Sequence, residues 1–119
     1  METRFLPNQP GSARFTTDEL RSAFVLENLF EKNKISLTYI ETDRAIVGSA
    51  VATDKPLKLE SSKKEMAADY FCERREVGVI NIGMPGVITV DGKEFVLGNR
   101  ELLYIGRGSK EIFFSSKDP

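Results

Sequence analysis

The chain has no histidine among its 119 residues. Histidine is the commonest metal ligand and the one side chain that titrates near neutral pH without help. Its absence excludes Ser/His/Asp and Cys/His nucleophilic catalysis and leaves any zinc site to be assembled from one thiol and carboxylates. Cysteine is nearly as scarce. The single Cys72 has no internal disulfide partner, and the opening METRFLPNQPGSARF lacks the apolar core of a secretory signal, so a reducing, cytoplasmic setting is expected. No apolar run approaches the roughly 20 residues that cross a bilayer, and no membrane partner is expected. Charge of one sign is also missing: 17 Lys and Arg stand against 18 Asp and Glu. A net charge of -1 offers no field for a phosphate backbone, so nucleic acid is not an expected partner.

What is present suits one small globular domain. Hydrophobic residues make up 40% of the chain and aromatics 9%, enough for a single core. Residues 1–14, with Pro7, Pro10 and Gly11, carry no hydrophobic period and read as an extended arm that docks or stays loose; residues 15–119 read as the domain. Thr16 and Glu19 have capping-box spacing and predict a short helix whose Leu20, Ala23 and Phe24 share a face. FVLENLF, KISLTYIE and RAIVGSAVAT then read as strands, rich in β-branched and aromatic residues. DKPLKLESSKKEMAADYF is polar and reads as a loop or edge, with a helical turn near EMAAD and a solvated face at Lys58, Lys63, Lys64, Glu60 and Glu65. Beyond Glu76, VGVINIG, GVITV, EFVLG and LLYIG read as four strands of a β-meander, with Asp91-Gly92 as a two-residue hairpin turn. The composite is all-β, a sandwich or small barrel with one short N-terminal helix.

The spacing from Glu76 to Gly83 resembles the glutamate-to-glycine spacing of the first cupin motif, but Tyr70 and Cys72 stand where that motif has its two histidines. The histidine of the second motif falls at Ser109 or Glu111, depending on register. Neither register restores a metal site, and Glu76, Glu111 and Cys72 would form an odd mixture of hard and soft donors. A narrower resemblance is carried by Leu20-Arg21, Phe24, DRAIVG from Asp43, FCERREVGVINIG from Phe71, ITVDG from Ile88, LYIGRG from Leu103 and Lys110-Glu111. In order and spacing these are similar to the N-terminal half of the 5-keto-4-deoxyuronate isomerase family, also called 4-deoxy-L-threo-5-hexosulose-uronate ketol-isomerases. The resemblance implies a cupin-like double-stranded β-helix, a jelly-roll barrel. It implies a partner in the C-terminal cupin half of the same protein, a homo-oligomer, and a small-molecule uronate substrate in the parent. It also implies a zinc held by that C-terminal half, with no cofactor in the present chain.

The four charges Glu73-Arg74-Arg75-Glu76 lie between apparently buried strands. Arg74 and Arg75 could hold a sugar-acid carboxylate in bidentate fashion with Glu73 orienting them. An ion-paired strand end or an interface is the favoured reading, because alternation along a strand sends the two arginines to opposite faces. Asp43-Arg44 reads as a buried pair fixing a corner, and Gly106-Arg107-Gly108 as a hairpin turn rather than an anion cradle. Cys72 reads as a packed thiol in an apolar strand. No catalytic residue is expected in this chain.

Overall fold

The computed structural model describes residues 1–119. Strand β1 (Glu2–Arg4) runs parallel to β2 (Lys34–Ile40), so the N-terminal arm is docked as an edge strand. A turn of helix α1 (Gln9–Ser12), capped by Asn8, leads to α2 (Thr17–Phe24). The Thr16 hydroxyl accepts the Glu19 amide at 3.2 Å and donates to the Glu19 carboxylate at 3.1 Å, which realises the predicted capping pair. The predicted apolar face of α2 finds no core to enter. No residue of α2 is buried, and Phe24 is half exposed.

FVLENLF forms no strand: after Phe24 the chain is irregular to Phe30. Asn28 and Asn33 adopt left-handed backbone, which Asn tolerates better than branched residues, and this interrupts extension despite the β-rich composition. Asn33 also fixes the start of β2, its side-chain oxygen accepting the Thr53 and Asp54 amides, each at 3.0 Å. Strand β3 (Ala45–Val51) pairs antiparallel with β2 along its full length, Lys34 opposite Val51 and Ile40 opposite Ala45. Asp43 and Arg44 lie in the exposed turn between them, with Arg44 at φ 52°. They make no ion pair with each other, so the expected buried corner pair is a solvated turn instead.

Strand β4 (Leu57–Lys58) is an edge strand, as the polar sequence around it predicts. Helix α3 (Lys63–Met66) ends at Ala67 in left-handed backbone, and the lysines and glutamates around it are exposed. Then come β5 (Val77–Ile80), β6 (Gly86–Val90), β7 (Lys93–Leu97), β8 (Leu102–Ile105) and β9 (Ile112–Ser116). These strands do not form a meander. β6 pairs with β7, β5 with β8 and β4 with β9, one antiparallel pair nested inside the next, while β9 also lies beside β6. Nested pairs of this kind are what a long hairpin gives when it rolls into a jelly roll. The loop from Gly106 to Gly108 therefore carries the chain between two sheets and is not a hairpin turn. Its place is held by the Gly108 amide, which donates to the Cys72 carbonyl at 2.7 Å.

The fold is all-β, but its strands fall into three open sheets, β1-β2-β3, β4-β9-β6-β7 and β5-β8, and no sheet closes into a barrel. One core serves all three. Leu59, Phe71, Cys72, Ile88, Leu97, Ile105 and Ile112 form its buried centre, with Ile35, Leu37 and Ile46 reaching it from the first sheet and Val77, Val79 and Leu103 from the third.

The innermost hairpin depends on backbone that few residues accept. Asp91 and Gly92 have φ of 47° and 84°, the primed turn whose twist matches paired strands. Gly92→Ala is expected to destabilise the protein by about 1 kcal/mol through the positive φ alone, since a Cβ there meets no atom within 4 Å. Gly78→Ala, equally free of contacts but with ordinary backbone, should not destabilise. Urea unfolding of the two variants makes the comparison, and equal losses would contradict it.

Candidate functional site

The stretch from Tyr70 to Glu76 is not a strand. Phe71–Glu73 forms a 3₁₀ turn, with Arg74 at φ -126° and ψ 4° closing it before β5 begins at Val77. Phe71 and Cys72 are the anchors, both buried in the core, and they oblige the following charges to leave it. Cys72 therefore lies in a turn and not in an apolar strand, and it is a packed thiol. Burial pushes its pKa up, and the Asp91 carboxylate adds to the effect.

The four charges then part company. Glu73 turns back to accept the Asp69 amide at 2.8 Å, which occupies it as a local cap. Arg74 is exposed and borders an open hollow of about 260 Å³ with Lys63, Ala67, Ala68, Asp69 and Glu73. Lys63 is already paired with Asp69 at 3.0 Å, and the hydrogen bond to that carboxylate raises its pKa. Arg75 goes elsewhere, its guanidinium carbon 5.6 Å from the Tyr39 ring centroid, with a long 3.5 Å contact to the Arg44 carbonyl. Glu76 accepts the Tyr104 hydroxyl. The two arginines diverge, but a turn and not strand alternation separates them. Arg74, Arg75 and Glu73 do not converge on one apolar cavity. The hollow beside Arg74 has two cations and two carboxylates around it.

The residues present do not fit a zinc ion. No group of three or more His, Cys, Asp or Glu side chains is placed to hold a metal. Of the three donors that cupin registers bring forward, Cys72 is a protonated thiol with no exposure, Glu76 is engaged by Tyr104, and Glu111 sits 3.6 Å from Lys58 on the exposed flank of β4. Zinc takes deprotonated thiolate and free carboxylate, and neither is offered at a common point.

Tyr104 is the polar residue that sequence reasoning missed. Its signal lay in register: Gly78 faces Tyr104 across the β5–β8 ladder, so Glu76, two residues before Gly78, is on the same face and diagonally within reach. That relation exists only once β5 is known to pair with β8.

Proteins of known activity match nearly the whole chain. A 4-deoxy-L-threo-5-hexosulose-uronate ketol-isomerase of Bacillus licheniformis is 42% identical over 116 residues, which is 98% of this chain and 42% of that protein. Its namesake in Caldicellulosiruptor bescii is 44% identical over 119 residues, 100% of this chain and 43% of its own length. That of Bacillus subtilis is 41% identical over 116 residues, with 98% and 42% covered. The chain is a relative of these ketol-isomerases over part of their length. It spans less than half the length of the curated relatives it matches. No protein-family model matches the chain.

The Glu76–Tyr104 bond is open to titration. The hydrogen bond that the Tyr104 hydroxyl donates to the Glu76 carboxylate, followed by partial desolvation and the carboxylate's charge, lifts the Tyr104 pKa above its usual 10.0. Because the folded value is raised, the contribution to stability is complete below the ordinary tyrosine range and is lost as pH rises through the folded value. Near-ultraviolet absorbance should therefore show Tyr104, identified by subtraction of a Tyr104→Phe variant, ionising later than tyrosine in the unfolded chain. Glu76→Gln should bring it back toward the usual value, and an unchanged titration would contradict the assignment.

Proposed function

We propose that this chain is the N-terminal, cupin-like portion of a 4-deoxy-L-threo-5-hexosulose-uronate ketol-isomerase and that it acts there as framework and interface, not as the seat of the chemistry. The observation that carries the reading is identity of 41–44% over essentially all of this chain to proteins more than twice as long that bear that name. The nested strand pairing agrees with a cupin-like sandwich.

The chemistry supports the division of labour. Interconverting an aldose-like hexosulose-uronate and its 2-ketose isomer moves a proton between adjacent carbons, and it requires a base, an acid and a group to steady the developing oxyanion. The titration shifts in this chain run the wrong way for that work: burial moves Cys72 away from neutrality, and Tyr104 is raised from a value already far above it. The zinc of the parent enzyme belongs to residues outside this chain, as does contact with the uronate. The C-terminal half of the same protein and further copies of the subunit are the partners. A cytoplasmic setting is supported by the one free, buried thiol, and no helix is long and apolar enough to cross a membrane.

Zinc analysis and a ketol-isomerase assay on the 119-residue chain and on the whole polypeptide of its reading frame test the proposal. The whole polypeptide is expected to hold stoichiometric zinc and to turn over the uronate, and the 119-residue chain to do neither. Turnover by the short chain, or a whole polypeptide without isomerase activity, would overturn it.

A further inference from the structure

Strands β5 and β8 pair only with each other, and their two faces differ sharply. Inward, Val77, Val79, Leu103 and Ile105 pack on the core. Outward, Ile80 and Leu102 stand opposite each other at 61% and 62% exposure, with Tyr104 beside them at 62%. Ile82 and Met84, just past the end of β5, are likewise 64% and 63% exposed. A two-stranded sheet is marginal on its own, and a contiguous exposed apolar face on a soluble protein marks a surface that something covers.

The size of the uncovered surface sets a scale. A compact monomer of 13.3 kDa should expose about 6,500 Å², whereas this chain exposes 8325 Å². The excess is larger than the about 800 Å² per partner that a standard interface needs. The position of the chain's last residues selects the occupant. After β9, the Lys117 amide donates to the Pro85 carbonyl at 3.1 Å, which holds the C-terminal segment against the residue next to Met84. Polypeptide continuing beyond Pro119 thus emerges beside this apolar face, and the relatives have more than half their length outside the matched region. The centre of the face carries no free charge. Glu76 at its margin is engaged by Tyr104, and the Glu101 carboxylate accepts the Gly98 amide at 2.6 Å.

We infer that the outward face of β5 and β8, with Ile82 and Met84, is the docking surface for the polypeptide that follows Pro119 in a chain of the relatives' length, an inference that rests on the reading under Proposed function. The docked segment is apolar and lies across Ile80 and Leu102.

Hydroxyl-radical footprinting of the whole polypeptide of the reading frame tests this, with Met84 and Tyr104 as probes and Phe5, 75% exposed at the N-terminal arm, as the accessible reference. Met84 and Tyr104 should be protected about tenfold relative to the urea-unfolded polypeptide at every protein concentration. Labelling of both at the unfolded rate would overturn the inference while leaving the proposed function standing. Protection that appears only where the polypeptide self-associates would assign the face to a second copy and overturn it as well. A reading frame that stops at Pro119 would end both the inference and the reading beneath it.

Discussion

Ten of the eleven buried side chains are apolar, and seven of these meet in one cluster around Cys72 and Ile112, so three sheets have to share a single small core. That shared core governs how the molecule is put together. The first sheet reaches it through Ile35, Leu37 and Ile46, the four-stranded sheet through Ile88, Leu97 and Ile112, and the two-stranded sheet through Ile105. The two-stranded sheet spends one face there and leaves the other exposed at Ile80, Leu102 and Tyr104. The consequence is visible in the dimensions: a radius of gyration of 15.9 Å, against about 13.5 Å for a compact domain of this length. The strand ladder is well formed while the layers it should enclose are incomplete.

The Asp91–Gly92 turn shows how local and long-range order meet in this arrangement. It closes the innermost of the nested pairs, and its carboxylate accepts the Lys110 and Glu111 amides at 3.0 and 2.8 Å, which fixes where β9 starts against β6. The same carboxylate reinforces the neutral state of Cys72. A residue selected by the needs of a hairpin thus also sets the register of a strand about 20 positions later and keeps the one thiol inert. Polar groups elsewhere are likewise committed to architecture: Glu73 to an amide, Arg75 to an aromatic ring, Glu76 to a phenol.

Local patterns in the sequence anticipated local structure well. The Thr16 cap, the strands at KISLTYIE and AIVGSAV and the Asp91–Gly92 turn all depend on neighbours a few residues apart, and all were legible. FVLENLF was not, because composition alone cannot register the left-handed backbone at Asn28 that breaks it. The nested pairing was illegible for a different reason: four short strands with glycine breaks fit a meander equally well, and the choice of β8 over β6 as the partner of β5 is made by the core, not by any turn. The flanks of ERRE alternate and so suggest a strand through it. Phe71 and Cys72 are instead both buried from a 3₁₀ turn that ends at Arg74, before β5 begins. The Glu76–Tyr104 contact, which depends on that pairing, was hidden with it.

The central proposal is that this chain forms a paired but thermodynamically incomplete shell, completed by contacts beyond its own residues. Equilibrium urea unfolding of the isolated 119-residue chain, followed across a range of protein concentrations, tests it most directly. The account predicts a net stability below about 5 kcal/mol, the lower end for native domains, with apparent stability that rises as the chain self-associates. A monomer unfolding in one cooperative, concentration-independent step with about 10 kcal/mol or more would contradict it.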